Sequence, residues 1–344
     1  MITIVIVNWN GWRDTVECLE SLMRLDGAGF RVIVVDNGSS DGSVEAIRNW
    51  AAGAEGETFS GPPWERLPKS RCRAPVMRLV GPEGPADIVE AGITLVAAGT
   101  NLGFAAANNL GIRLALDQPD TAYVWLLNND TVVAPDCLSR LSEAARREPE
   151  VGLWGNRLMF YHAPDLVQGL AGRFRAVRCS SEHIEVWQPT AALPDRAQVE
   201  ARMSYVIGAS MLVSRDFLET VGLMSERYFL YFEEIDWAER IRGRFRQGVC
   251  LEAVVYHKEG GSIGSDPSGR LSDTGLYYMT VNLFRFVWTH RPWIIGFAFG
   301  RFLRQALRHM RRGDVQALRI MAVALADFLT GRRRTGPVRI GRAG

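Results

Sequence analysis

Lysine is nearly missing from this chain: of 40 basic side chains only Lys69 and Lys258 are lysine, so a local run of arginines reflects composition before it reflects a partner. Cysteine is present but unorganised. Cys18, Cys72, Cys137, Cys179 and Cys250 are scattered, odd in number and without CxxC spacing, which argues against a disulfide framework or a zinc site and fits a reducing cytosol. No uncharged apolar run reaches the roughly 18 residues that span a bilayer. Met1 leads straight into Ile2-Thr3-Ile4-Val5-Ile6-Val7, with no basic segment before it and too short an apolar run for a signal peptide. The expectation is a cytoplasmic protein that meets a membrane, if at all, as a peripheral partner on the inner face. No GxGxxG follows the first apolar run, so the dinucleotide fingerprint is missing and a dehydrogenase is disfavoured.

The 344 residues are 47% hydrophobic and 23% charged, enough for one large core, or one core with an appendage. A net charge of +2 hides an asymmetry. From Arg301 onward there are eleven arginines and only two acids, Asp314 and Asp327, so the rest of the chain is net acidic.

Ile2 to Val7 reads as a buried parallel strand entering the loop Asn8-Trp9-Asn10-Gly11. Helical spacing follows in Val16, Leu19, Leu22 and Met23, and Val32 to Val35 reads as a second strand ending at Asp36-Asn37-Gly38-Ser39-Ser40-Asp41-Gly42. Strand, helix and strand imply a right-handed parallel unit. Asp36 stands where the second strand of a nucleotide-binding fold places a carboxylate able to accept from a base or ribose; the alternative is that Asp36 and Asp41 shape turns and cap the helix Ser43 to Trp50. Residues 51–92 turn to Gly, Pro, Ala and isolated charges, with Gly61-Pro62-Pro63 and Gly81-Pro82-Glu83-Gly84-Pro85 as punctuation, and read as an insertion that either holds a short hairpin, Val76 to Val80, or is partly mobile. Ile93 to Val96 resumes the sheet. In Asn101-Leu102-Gly103-Phe104-Ala105-Ala106-Ala107-Asn108-Asn109, a polar turn opens a helix whose N–H groups and small side chains would admit a phosphate; close helix–sheet packing explains the alanines equally well.

Tyr123-Val124-Trp125-Leu126-Leu127-Asn128-Asn129-Asp130-Thr131 is an apolar β-rich run that ends abruptly in polar residues. Ligands of open α/β sheets collect at the carboxyl ends of strands. Asp130 there has two uses, holding a divalent cation against a diphosphate or capping the helix that begins near Pro135. A helix from Pro135 to Arg147 and a strand at Val151 to Gly155 follow, and residues 156–203 mix alternation with turn residues. Tyr205 to Val213 brings Gly208, Ala209 and Ser210 into a strand, suggesting backbone exposed to a ligand. Phe229-Leu230-Tyr231-Phe232-Glu233-Glu234-Ile235-Asp236 then sets three carboxylates behind an aromatic run, at the positive end of a helix starting near Glu233. A strand at Val249 to Val255 delivers His257 to a Gly-rich loop.

These motifs, VIVNWNG, VVDNGSSDGS, NLGFAAANN, LLNND, and GASMLVSRDF with FLYFEEID, followed by His257 and GGS, together resemble the family 2 glycosyltransferases of GT-A fold, within them the rhamnosyltransferase-like branch of bacterial polysaccharide assembly. The likeness covers roughly residues 1–264. It implies an α/β fold, a Rossmann-like, mostly parallel sheet flanked by helices over residues 1–265; beyond it the residue pattern reads as C-terminal amphipathic helices at 275–335 and a basic tail at 336–344. It implies that Asn8, Asn10 and Asp36 contact the nucleotide, that Asn129 and Asp130 occupy the DxD-type position with Asp130 and His257 as ligands of Mg²⁺ or Mn²⁺, and that Glu234 is the catalytic base. Asn101 falls beside the nucleotide; Gly208, Ala209, Ser210, Glu233 and Asp236 would line the sugar and acceptor pocket. Asn128 stands where a full DxD has its first acid. The implied reaction is inverting transfer of a sugar, rhamnose among the candidates, from a nucleotide diphosphate to a saccharide or lipid-linked saccharide. Two alternatives stand beside it, a degenerate GT-A domain serving as a membrane-docked scaffold and a sugar nucleotidyltransferase; the second would need a Gly-rich basic loop where Asn8-Trp9-Asn10-Gly11 stands.

In the C-terminal part, Phe299, Phe302, Leu303, Ala306, Leu307 and Met310 form one helical stripe and Arg301, Arg304, Arg308, Arg311 and Arg312 another. The helix either rests on anionic lipid, with Pro292-Trp293-Ile294-Ile295 at its edge, or packs on the catalytic part. The tail at Arg332-Arg333-Arg334 lacks any base-stacking module, so nucleic acid is not expected as a partner.

Overall fold

β-Branched runs set the centre of the molecule. In the computed structural model, which describes residues 1–26, 29–53, 59, 62–65, 76–81, 92–190, 194–241, 243–258 and 271–338, strand β1 (Ile2–Asn8) lies between β2 (Phe30–Asp36) and β5 (Tyr123–Asn128), parallel to both. Its alternate side chains feed two layers. Ile4 and Ile6 pack into one cluster with Val16 and Leu19 of α1 (Trp12–Leu22), whereas Val5 packs into the other with Ala105, Ala107 and Ile112. Burial on both faces is what parallel strands require, and it explains why these strands lack a polar alternation.

Between β2 and β5 come α2 (Ser43–Ala51), the short α3 (Pro62–Glu65), β3 (Met77–Val80), β4 (Ile93–Ala97) and α4 (Phe104–Leu116). β3 pairs parallel with β4 at the sheet edge. The hairpin expected at Val76 to Val80 is therefore a parallel edge strand: its partner follows after a connection long enough for a parallel return, which no tight turn could give. Apart from α3, β3 and the residues beside them, the expected insertion lies outside the described residues, as do Gly260, Gly261, Ser262 and Gly264.

In the second half some strands reverse direction. β6 (Thr131–Val133) and α5 (Cys137–Arg147) lead to β7 (Val151–Phe160), β8 (Val167–Gly169), the hairpin β9 (Gly172–Arg175) and β10 (Ser180–His183), α6 (Arg196–Arg202), β11 (Ser210–Ser214), α7 (Arg215–Val221), α8 (Glu233–Arg240) and β12 (Arg246–His257). The sheet order is β3-β4-β2-β1-β5-β11-β7-β12-β6, with β8 beside β7. β11 runs antiparallel to both β5 and β7. Strand character at Tyr205 to Val213 is confined to its C-terminal half: the Ser210 amide donates back to Ile207 O at 3.3 Å and turns the chain at Gly208, while Ala209 O still accepts from the end of β5.

Three further helices, α9 (Asp273–His290), α10 (Ile295–Arg311) and α11 (Val315–Leu329), follow among the described residues. α9 is buried around most of its circumference, from Leu276 and Tyr277 to Phe286 and Val287. α10 buries only a narrow line, Ala298 with half-buried Phe302 and Ala306, and leaves much of the rest exposed. No helix among the described residues is long and apolar enough to cross a membrane.

α9 also fixes the turn that precedes α8. Tyr231 (φ 67°) and Phe232 (φ 76°) are consecutive non-glycine residues in the left-handed region, a strained pair. The fully buried Asn282 donates from Nδ2 to Leu230 O at 2.9 Å and Tyr231 O at 3.3 Å, holding the turn that no helix or sheet ladder satisfies. Asn282→Ala leaves both carbonyls without that donor and should lower stability by about 1–3 kcal/mol, read as a lower urea midpoint at unchanged slope. An unchanged midpoint would mean that the turn needs no anchor from α9.

Candidate active site

The carboxyl ends of β1, β2 and β5 meet in one hydrogen-bonded chain of polar side chains. Asn129 Nδ2 donates to Thr15 Oγ1 (3.1 Å), Thr15 Oγ1 donates to Asn8 Oδ1 (2.7 Å), and Asn8 Nδ2 donates to Asp36 Oδ2 (2.8 Å). Asp36 Oδ1 accepts from the Ser39 amide at 3.1 Å, and Ser39 Oγ accepts from the Asn10 amide at 2.9 Å. Asn10 itself is left-handed (φ 51°), a conformation asparagine tolerates, and its Oδ1 accepts from the Ser40 amide at 2.8 Å. The loops after β1 and β2 are thus pinned to each other. Asp41, by contrast, accepts from the amide and hydroxyl of Ser43 and serves as the turn residue at the start of α2.

Across this rim, Asn101 Oδ1 accepts from Asn37 Nδ2 at 3.1 Å and from the Gly103 amide at 3.0 Å. Its Nδ2 is buried and has no partner among the described residues. A buried donor left unsatisfied costs about 1–3 kcal/mol, so a bound acceptor would find it ready. At the start of α4, Gly103 (φ 85°) lies against the Phe229 backbone, where a Cβ would come within 2.6 Å of Phe229 O; only glycine fits both the conformation and the space.

Asp130 does not cap the following helix, which starts at Cys137 with Asp136 as its N-cap residue. It is buried, and its Oδ1 lies 3.1 Å from His257 Nε2. The antiparallel β6–β12 pair brings them together, His257 lying opposite Thr131. Gln168 Oε1 sits 2.7 Å from His257 Nδ1 and accepts its hydrogen bond, so the imidazole presents Nε2 to Asp130. Burial works to raise the Asp130 carboxyl, but His257 and then Lys258 outweigh it and hold the group below the ordinary carboxylate range. Lys258 is itself tied to Asp14 and Glu17, and Glu17 also accepts from Tyr161 and Trp64. Among the described residues no cluster of three His, Cys, Asp or Glu side chains surrounds a common point. One carboxylate and one oriented imidazole fit a divalent ion that takes its remaining ligands from a diphosphate and water; the imidazole suits Mn²⁺ better than Mg²⁺, which prefers an all-oxygen shell.

The second half of the site is acidic. Glu233 and Glu234 begin α8 directly after the strained turn, with Glu233 buried and Glu234 half-buried. The Glu234 carboxyl carbon stands 3.9 Å from where a Cβ on Gly208 would lie, so it rests over the Gly208 backbone. Desolvation pushes Glu234 up to about 7, and desolvation together with the Glu234 charge raises Glu233 well above the usual range. Glu233 Oε2 is buried without a partner among the described residues. The two halves are joined by one bond: the Asn128 amide donates to Ala209 O at 2.9 Å, so the Asn128–Asp130 and Gly208–Ala209 stretches form adjacent parts of a single edge.

Two expected pocket residues sit apart from this edge. Ser210 is interior, its hydroxyl taken by Trp125 Nε1 at 2.8 Å and by Asn156 Nδ2. Asp236 is buried against His290 Nε2 (2.7 Å), Arg240 Nε (2.9 Å) and Tyr228 OH (3.3 Å); burial works to raise it, but His290 and Arg240 hold it low. It locks α8 to α9. Sequence reasoning missed Thr15, Ser39, Gln168 and Lys258, which position the expected residues; only Lys258, one of two lysines in the chain, carried a compositional signal.

The sequence profile described as "Glycosyl transferase family 2" matches residues 3–60 and 85–221, more than half of the chain. The chain belongs to glycosyl transferase family 2. The gap in the match falls within the expected insertion. This glycosyltransferase is 27% identical over 287 residues to an N-acetylglucosaminyl-diphospho-decaprenol L-rhamnosyltransferase of Mycobacterium tuberculosis, covering 79% of the chain and 80% of that relative. It is 23% identical over 171 residues to a low-salt glycan biosynthesis hexosyltransferase of Haloferax volcanii, covering 48% of the chain and 52% of the relative. In fold it matches S. aureus TarS 1–349 in complex with UDP-GlcNAc, at a TM-score of 0.53 and 12% identity over 96% of this chain and 80% of that one. It also matches the mannosyltransferase of Pyrobaculum calidifontis in complex with GDP-Man and Mn²⁺, at 0.50 and 14% identity over 96% and 88%. The fold is the GT-A type expected of the family 2 glycosyltransferase.

The glutamate pair generates a pH signature. Both carboxyls titrate higher folded than unfolded, where glutamate sits near ~4.3, so the folded state binds more protons at intermediate pH. Their contribution is fully present below pH about 4, falls as pH rises through the unfolded value, and for Glu234 levels off above about 7. Glu233→Gln should therefore match the wild type in stability near pH ~4 and exceed it at pH ~8, measured by urea unfolding at both. Equal stability at the higher pH would show that Glu233 is not destabilised by charge.

Proposed function

We propose that this glycosyltransferase inverts the anomeric centre as it moves a sugar, with rhamnose the leading candidate, from a nucleoside diphosphate to a saccharide on a lipid diphosphate during cell-surface polysaccharide synthesis. One observation carries the reading: the Asp130–His257 pair and Glu234 occupy adjacent parts of one edge, joined through the Asn128–Ala209 bond. The rhamnosyltransferase relative supports the choice of donor sugar and acceptor class.

In this reading Asn8, Asn10, Asp36 and Asn101 bind the nucleoside, and Asn101 Nδ2 gains the acceptor it lacks. Asn129 holds the loop after β1 in place through Thr15 and Gly11. Asp130 and His257 would hold Mg²⁺ or Mn²⁺, which as a Lewis acid neutralises charge on the departing diphosphate. Glu234 takes the proton of the acceptor hydroxyl as that oxygen bonds to the anomeric carbon. The bond from that carbon to the diphosphate oxygen breaks with its electron pair leaving on the nucleotide. A carboxyl raised to about 7 is well matched to this role, because it is basic enough to accept a proton and still largely ionised at slightly alkaline pH. Glu233, next to it and raised well above the usual carboxylate range by burial and by the Glu234 charge, resists placing a second charge in the pocket. Gly208 and Ala209 offer bare backbone for the sugar to approach.

Calorimetric titration with dTDP, UDP and GDP, with and without Mn²⁺, tests the donor half. One nucleotide should bind only with metal, and Asp130→Ala should abolish that dependence. Glu234→Gln should keep nucleotide affinity and lose about 10²–10⁴ in kcat. No nucleotide binding under any condition would remove the donor-site assignment and favour a scaffold; undiminished turnover in Glu234→Gln would remove the base.

A further inference from the structure

A second concave site lies beside the β9–β10 hairpin, whose Ser180 lines it. Arg178, Arg301, Arg304, Arg308, His309 and Arg312 line a cleft of about 420 Å³ with Ser180 at its wall. On α10 and its C-terminus, residues 301, 304, 308 and 312 fall on one face at helical spacing. Many arginines of this chain are matched to carboxylates, such as Arg31 with Asp120 and Arg196 with Glu148. In the cleft, Arg178, Arg304, Arg308 and Arg312 have no carboxylate partner among the described residues, and Arg301 donates to Cys179 O, at 2.9 Å. Burial and the neighbouring Arg304 and Arg308 charges depress the Arg301 guanidinium, with an opposing effect from Cys179. Guanidiniums converging on a concave wall repel one another until an anion is shared between them, and their planar forks suit phosphate oxygens.

Two neighbours of the cleft narrow the anion. Beside the arginine face, α10 and the turn before it carry an exposed apolar ridge: Trp293 is 76% exposed, Leu303 60% and Met310 61%, with Phe297 and Leu307 between them. An apolar ridge flanked by arginine is the pattern of a helix lying in a membrane interface. On the inner side, Ser180 at the cleft wall is followed by Ser181, which hydrogen-bonds Tyr205, whose phenol is raised by burial and then by the Glu234 charge. The hairpin thus bridges cleft and proposed base.

We propose that this cleft seats the diphosphate of a membrane-borne lipid diphosphate, the carrier of the acceptor saccharide, while the α10 ridge lies on the bilayer that holds it. The inference rests on the acceptor class proposed above and adds the site that binds it. The lipid chain leaves along the ridge and the first sugars extend past β10 toward Glu234, so the acceptor hydroxyl is delivered from the membrane side while the donor enters over β1 and β2.

Flotation of the full chain with three kinds of vesicle tests this: phosphatidylcholine alone, phosphatidylcholine with phosphatidylglycerol, and phosphatidylcholine with a polyprenyl diphosphate at matched negative charge. The wild type should prefer the third over the second by about tenfold or more, as a converging guanidinium site would over diffuse charge, and free inorganic diphosphate should compete. Arg304→Gln/Arg308→Gln should remove the preference, whereas Arg311→Gln/Arg319→Gln, outside the cleft lining, should retain it. Leu303→Ser/Leu307→Ser should weaken binding to all three. Arg301 stays intact because it braces Cys179. Equal binding to the second and third vesicles, or equal loss in both arginine pairs, would reduce the cleft to general electrostatics and overturn the proposal. Nucleotide calorimetry on the same variants separates the two readings: donor binding that persists without a diphosphate preference sinks the cleft alone, and loss of donor binding in the wild type sinks the donor site.

Discussion

The reversal of direction between β5 and β11 is the constraint on which the rest depends. β1, β2, β4 and β5 run parallel and deliver their polar ends to one side, as any open α/β sheet does. A parallel neighbour on β5 would have continued that pattern. Because β11 is antiparallel, it is the segment entering it, Gly208 and Ala209, that meets the end of β5, and residues far apart in the chain share an edge. β12 repeats the logic at the far side, returning His257 to Asp130 through the short β6.

The C-terminal helices belong to this arrangement energetically. α8 begins with a buried and a half-buried carboxyl after two left-handed aromatics, a combination that costs free energy at every position. Its compensation comes from α9: Asn282 on the turn carbonyls, His290 on Asp236, and a shared aromatic cluster of Phe174, Phe232, Phe284 and Phe286. That cluster also contains Cys179 and Ala298, so the turn before the base, the hairpin and α10 share one apolar body. In the proposed arrangement, α10 packed this way would set the position of the acceptor relative to Glu234 without touching it.

Much of the fold is legible in the order of residues alone. Ile2 to Val7, Val32 to Val35 and Tyr123 to Leu127 announce themselves because parallel strands are buried on both faces and leave no polar interruption. Asp130, Glu234 and His257 are identifiable because each ends an apolar run abruptly, together with a family resemblance. What stays hidden is long-range. Nothing local says that Val76 to Val80 pairs parallel with Ile93 to Ala97, that Ser210 turns inward to Trp125, or that Asp236 is spent on His290, because partners in each case lie far away in the chain. The stripe on α10 is readable as amphipathic. Which part of it packs is not, since Ala298, Phe302 and Ala306 are chosen by the shape of the neighbouring helices and not by hydrophobicity.

Charge is distributed unequally between the two ends of the proposed reaction path, and this difference favours different means of holding phosphate at each. Around Asp130 the described cations are His257 and Lys258, and Lys258 is already engaged by Asp14 and Glu17. A donor diphosphate arriving there meets carboxylates with little side-chain charge to offset them, so an added divalent ion is the natural mediator, and release of product can follow release of that ion. The α10 cleft is the opposite case, with arginine in excess and no carboxylate among its lining residues. If the cleft takes a diphosphate as proposed, its fixed guanidiniums would hold it without an added metal, which suits a group that must be held while chemistry proceeds on the sugar beyond it. The separation also protects the base. Glu234 is raised by desolvation with no cation among the described residues offsetting that effect, and an arginine brought from the cleft to α8 would stabilise its carboxylate and lower its basicity.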